Sequence, residues 1–113
     1  MIYEVRNYHF RPDLFGAYKT WAKERALPYL ASQLDLVGFW VNTADRPEVH
    51  GEPPDALGSA NITWVIRWRD IEQRNQELPA VLSTAEWGEI FSHVPGGLDS
   101  YLRRESKFTE ALV

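Results

Sequence analysis

Only two regions of this 113-residue chain carry a helical repeat, against four that alternate at the two-residue period of a strand. The alternating runs are 2–10, 36–41, 62–68 and roughly 99–108. The helical regions are roughly 13–33 and the stretch from Asp70 to about Val94. Strand, helix, strand, strand, helix, strand is the split βαβ, ferredoxin-like order. It predicts an α+β fold with one four-stranded antiparallel sheet and both helices on one face. Two helices cover one side of such a sheet and leave the other bare. The second and third strands alternate apolar and aromatic residues on both faces, so the bare side is expected to be packed. A second copy of the chain, closing two sheets into a dimeric α+β barrel, would do this.

Within that frame the local signals are specific. Arg11-Pro12-Asp13 reads as a turn into the first helix, whose stripe is Leu14, Tyr18, Trp21, Ala22 and Arg25 with Phe15, Ala26 and Leu30 beside it. Pro28 is expected to bend that helix. The stretch 42–60, with three prolines and two glycines, is long for a loop and is read as a lid. Pro79 should interrupt the second helical region. Ser83-Thr84-Ala85-Glu86 reads as a capping box with Ser83 at the cap, followed by Trp87, Ile90, Phe91 and Val94 and ended by Pro95-Gly96-Gly97.

The first strand is the least ordinary. One face carries Ile2, Glu4, Arg6, Tyr8 and Phe10, the other Tyr3, Val5, Asn7 and His9. Neither face is purely apolar or purely polar. A Glu, an Arg and a Tyr between apolar ends suggest a sheltered polar wall of the kind a small-molecule pocket needs.

Composition narrows the classes of partner. A formal net charge of −4 argues against nucleic acid, and Arg103-Arg104 is the one tight basic pair, read as solvated. Cysteine is absent, which removes disulfides and thiolate chemistry. No apolar run approaches the roughly 20 residues of a membrane span, and the chain starts directly in a strand. The expectation is a single domain over 1–113, soluble and cytoplasmic, with no membrane and no nucleic-acid partner. Five Trp, five Tyr and five Phe are many for a core this small.

Tyr3-Glu4-x-Arg6-x-Tyr8, Ala26-Leu27-Pro28, Gly38-Phe39-Trp40, Glu86-Trp87 and Glu105-Ser106 together resemble the NIPSNAP family over nearly the whole chain. The resemblance implies the dimeric α+β barrel fold, which is shared with antibiotic-biosynthesis monooxygenases, muconolactone-type isomerases and haem-degrading monooxygenases. It implies no particular reaction. The chain departs from the family pattern in its long 42–60 loop and in Trp64-x-Ile66-x-Trp68, where the family often has His, Trp and Tyr.

The resemblance further implies that Glu4, Arg6 and Tyr8 face the barrel with Trp64, Ile66 and Trp68. On the second strand, Val37, Phe39 and Val41 form the cleaner helix-packing face, which leaves Gly38, Trp40 and Asn42 for the barrel. The candidate catalytic residues are therefore Glu4, Arg6 and Tyr8, and the candidate ligand contacts Trp40, Asn42, Trp64, Ile66 and Trp68. Arg6 has the planar fork to hold a carboxylate or enolate oxygen. Glu4 or Tyr8 would exchange a proton, provided burial raises the Glu4 pKa. The structural alternative is an ion pair that only fixes assembly.

Three readings of function follow. The first is a small-molecule-binding protein without cofactor, an isomerase, cyclase or monooxygenase acting on a small cyclic or aromatic carbonyl compound. The second is a non-catalytic binding or scaffolding homodimer. The third is haem binding, with or without degradation, through His93, a weak signal without a second ligand; no metal is assigned. His9 is read as a satisfied surface or core residue, and His50 as an exposed loop residue that could act as a lid group. A cavity of several hundred Å3 beside Arg6 would favour a ligand, and an interior filled by Trp40, Trp64 and Trp68 would favour scaffolding.

Overall fold

The structure, a computed structural model, describes residues 1–52 and 55–113. Four strands, β1 (Ile2–Phe10), β2 (Leu36–Val41), β3 (Ile62–Trp68) and β4 (Tyr101–Thr109), form one antiparallel sheet in the order β2-β3-β1-β4. This is the predicted ferredoxin-like arrangement. β1 lies between β3 and β4, with Glu4 opposite Ile66 and Phe108, Arg6 opposite Trp64 and Ser106, and Tyr8 opposite Ile62 and Arg104. Directly opposed residues share a face. Glu4, Arg6, Tyr8 and Phe10 thus lie on one side with Ile62, Trp64, Ile66 and Trp68.

That side faces the helices, which overturns the barrel-side placement. Phe10, Tyr8, Ile62, Trp64, Ile66 and Trp68 belong to the same core as Tyr18, Trp21 and Leu30 of the first helical region. Period-two alternation says which residues share a face, but not which face meets the helices. On β2, Phe39 and Val41 face the helices as expected, while Val37 is exposed because the pairing with β3 shifts between Leu36 and Gly38. Leu36 takes its place against the core. His9 falls on the open face, where its Nε2 lies 2.8 Å from the Gly58 carbonyl.

The first helical region is continuous but not uniform: α1 (Phe15–Trp21), a π turn over Ala22–Ala26, then α2 (Leu27–Gln33). Tyr18, Ala22, Ala26, Leu30 and Leu34 are all buried and recur every fourth residue. At 3.6 residues per turn, four such steps would rotate about 160° off one face. The wider π turn takes up part of that rotation. It also accommodates Pro28, since the Leu27 N–H reaches back to the Ala22 carbonyl and the ring is not forced against the preceding turn.

The second region splits into α3 (Ile71–Val81) and α4 (Ala85–Phe91). α3 runs through Pro79, which sits in its last turn and forfeits a single bond, so the expected interruption comes after Val81. The cap of α4 is Thr84, whose hydroxyl accepts from the Trp87 N–H at 3.0 Å. Ser83 is not the cap, because its hydroxyl donates to the Pro79 carbonyl. Gly96 and Gly97, at φ of 70° and 75°, turn the chain out of the helical layer toward β4. Helices are fastened to each other by Trp21 Nε1 donating to the Ile90 carbonyl at 2.9 Å and by the Tyr29 hydroxyl at 2.7 Å from both Val81 O and Thr84 Oγ1.

The two ends of the 42–60 loop, Asn42 and Gly58 to Ala60, lie on the open face, as does Asp55. Asn42 donates to the Ala60 carbonyl, and Asp55 pairs with Arg103. These residues lie on the side away from Arg6, and among the described residues none of the loop lines the cavity beside it, against the expected lid; residues 53–54 lie outside the described residues. Among the described residues no helix is long and apolar enough to cross a membrane.

Candidate ligand pocket

Glu4 is fully buried, and its carboxylate is saturated. Arg74 of α3 grips it with a fork, Nε to Oε1 at 3.1 Å and Nη2 to Oε2 at 3.0 Å. Trp68 Nε1 donates to Oε1 at 3.0 Å and Arg6 Nη1 to Oε2 at 2.6 Å. Burial by itself would raise the Glu4 pKa. The Arg74 fork, the indole and Arg6 outweigh it and hold the carboxyl below its ordinary value. Glu4 is therefore a permanent anion at neutral pH, and the expectation that burial would tune it for proton exchange does not hold. Trp68 and Ile66, both buried, stand with it behind the site as support and core.

In front of Glu4, Arg6 passes its Nε–H to the Tyr8 hydroxyl at 2.7 Å and lays its guanidinium 5.1 Å from the Trp64 ring centre. Arg6, Tyr8 and Trp64 open onto a cavity of about 450 Å3 between the sheet and the helices. Its other walls are aromatic: Tyr18 and Trp21 from α1, Phe39 from β2, Trp87 and Phe91 from α4, and Tyr101 from β4. Leu98 and Arg104, both exposed, stand at its mouth. Burial pushes the Tyr18 and Tyr101 phenols well above their ordinary values, so both stay protonated at neutral pH. No Asp, Glu or His lines the cavity among the described residues.

Of the eight nominated residues, three meet in this cavity: Arg6, Tyr8 and Trp64. Trp40 lies on the opposite face, 52% exposed, and Asn42 lines a separate recess of about 350 Å3 on that side with Asn7, His9 and Thr63. The three tryptophans of the predicted wall do not share a face, and the space beside Arg6 is open. His93 bonds Glu89 at 3.0 Å on the surface and does not line the cavity. Tyr18, Trp21, Trp87 and Phe91 were legible as helix stripes but not as pocket walls. The available signal was that those stripes are aromatic where aliphatic residues would pack as well. Arg104, read as half of a solvated pair, is part of the site. Arg74 carried no signal at all.

No protein-family model matches the chain, and no curated protein matches it in sequence. In three dimensions it is similar to a NIPSNAP family protein of unknown function from Agrobacterium tumefaciens, with 16% identity over 96% of this chain and 86% of that one and a TM-score of 0.73. It is equally similar to an uncharacterized NIPSNAP domain protein from Burkholderia xenovorans, with 13% identity, coverage of 98% and 94%, and a TM-score of 0.73. An antibiotic biosynthesis monooxygenase superposes over the full length of both chains at 9% identity with a TM-score of 0.57. The fold is that of the NIPSNAP proteins, in agreement with the motif resemblance. At these identities the likeness carries fold and no activity.

Proposed function

We propose that this NIPSNAP-like protein binds a small, flat, cyclic or aromatic carbonyl compound in its acidic or enolate form, with the anionic oxygen on Arg6. The observation that carries this reading is the aromatic cavity of about 450 Å3 with the Arg6 guanidinium in its wall. That volume suits a ligand of one or two rings. Glu4, Arg6 and Arg74 together leave one net positive charge, which favours an anion beside Arg6.

The candidate for proton transfer is Tyr8. Its oxygen accepts from Arg6 Nε, so its own proton is free to pass to a bound enolate, and the guanidinium would stabilise the phenolate left behind. Isomerisation or cyclisation by proton transfer fits this pair without a cofactor; a monooxygenase reaction is supported only by the fold. The second reading is binding without turnover, since among the described residues Tyr8 is the one proton-exchanging candidate beside Arg6, and Tyr8→Phe separates the two. If Tyr8 is catalytic, that variant keeps ligand affinity and loses turnover.

The apolar residues of the open sheet face, Trp40 and Val37 above all, fit a homodimer formed through it. A chain without cysteine fits a reducing cytoplasm.

The test of the binding site is quenching of tryptophan fluorescence by a panel of aromatic carboxylates and β-dicarbonyl compounds. Arg6→Met should weaken binding at least tenfold, the lower end for losing a charge-assisted hydrogen bond. Arg6→Lys, which keeps the charge and loses the fork, should recover part of it. Undiminished binding by a folded Arg6→Met protein would refute the site.

A further inference from the structure

Among the described residues the cavity wall carries two guanidiniums and no carboxylate. Arg6 uses Nε on Tyr8 and Nη1 on Glu4, while its Nη2 has no partner among the described residues. Its side chain is 13% exposed, so that nitrogen is poorly served by bulk water. A sheltered guanidinium N–H without an acceptor is unfavourable, and a ligand oxygen would satisfy it.

A second cation serves the same space. Arg104 lines the cavity at its mouth, with its guanidinium 5.8 Å from the Tyr101 ring centre. Among the described residues it has no ion-pair partner. Its neighbour Arg103 points to the other face and is matched by Asp55 and Glu105. The sheet register fixes how the two cations stand. Arg104 is opposite Tyr8 and Arg6 opposite Ser106, so the two occupy diagonal positions whose backbones are about 7–8 Å apart. From there the side chains part, Arg6 over Trp64 on β3 and Arg104 over Tyr101 on β4. Between them lie aromatic faces, and among the described residues no acidic group lines the space.

We propose that the ligand is a planar diacid: one ring carrying two acidic groups, the first held by Arg6, the second by Arg104 at the mouth. This rests on the reading that the pocket binds an acidic compound through Arg6, and it adds the second charge and the direction in which the ligand lies. A monoacid would leave Arg104 unmatched. A larger polyanion would place charge against the aromatic walls.

The experiment compares ring-matched probes by tryptophan fluorescence and calorimetry: phenylacetate against 1,3- and 1,4-phenylenediacetate, in low salt. The better diacid should bind at least tenfold more tightly than phenylacetate. Arg104→Gln should abolish that preference, bringing the diacid to within twofold of the monoacid, while circular dichroism verifies the fold. Equal affinity of monoacid and diacid for the wild-type protein would overturn the proposal, as would a preference that survives Arg104→Gln. Arg6-dependent binding of phenylacetate alone would leave the pocket reading standing and remove the diacid. Binding of none of the three acids would remove both.

Discussion

Glu4 concentrates the physics of this site in one residue. A fully buried carboxylate is tolerated here because two guanidiniums and an indole replace its water. Its folded pKa lies below the ordinary value of 4.5. A lowered folded pKa means stability that is fully present above about 4.5 and lost as the pH falls through the folded value. Urea unfolding at a series of pH values should show this acid limb in the wild type, and Glu4→Gln should flatten it. At pH 7 the same variant should lose about 3 kcal/mol, because it leaves Arg6 and Arg74 facing each other without their shared anion. A variant as stable as the wild type would mean that the cluster contributes nothing. The Glu4–Arg6 pairing was legible at spacing two on a strand. Arg74 was not, because it arrives from 70 residues away and nothing local marks it.

At the scale of elements, the two helical regions shape the cavity through their irregularities. The π turn keeps Ala22, Ala26 and Leu30 in one buried row beneath Pro28, and Ala26 and Leu30 then line the pocket. The small Ala26 side chain leaves room where a larger one would fill it. Thr84 has two tasks: it caps α4 and meets the Tyr29 hydroxyl at 2.7 Å, tying α4 to α2. Thr84→Ala should therefore cost about 2 kcal/mol, a lost cap plus a lost hydrogen bond, with Thr84→Ser recovering most of it in urea titrations. A loss of only a few tenths would show that Tyr29 holds the helices without it. The sequence announced a cap at this place, but two adjacent hydroxyls competed for it. The choice of Thr84 was made by the end of α3, whose Pro79 carbonyl takes the Ser83 hydroxyl.

The whole molecule is a slab about 37 by 35 by 20 Å. A thickness of 20 Å holds one sheet and one helical layer. Its uncovered face carries Trp40, folded back over Gly38 so closely that a Cβ at that glycine would lie 2.3 Å from the indole. A large aromatic laid flat on an open sheet face is suited to contact with a second copy. Light scattering on the purified chain should give a mass of twice 13.1 kDa, and Trp40→Lys should return it to one. A wild-type monomer at tens of micromolar would count against self-association through this face.

The order of elements, the sheet with helices on one face and the sharing of one strand face by Glu4, Arg6 and Tyr8 were determined by the sequence alone, because apolar period and strand alternation are local properties. Which side of the sheet that face meets was decided only in three dimensions. Glu4 can lie under the helices because Arg74 comes with them, and a charge is buried wherever its partners can reach it. The tertiary structure likewise set the aromatic stripes of α1 and α4 apart from the sheet, so that residues legible as core became the walls of a cavity.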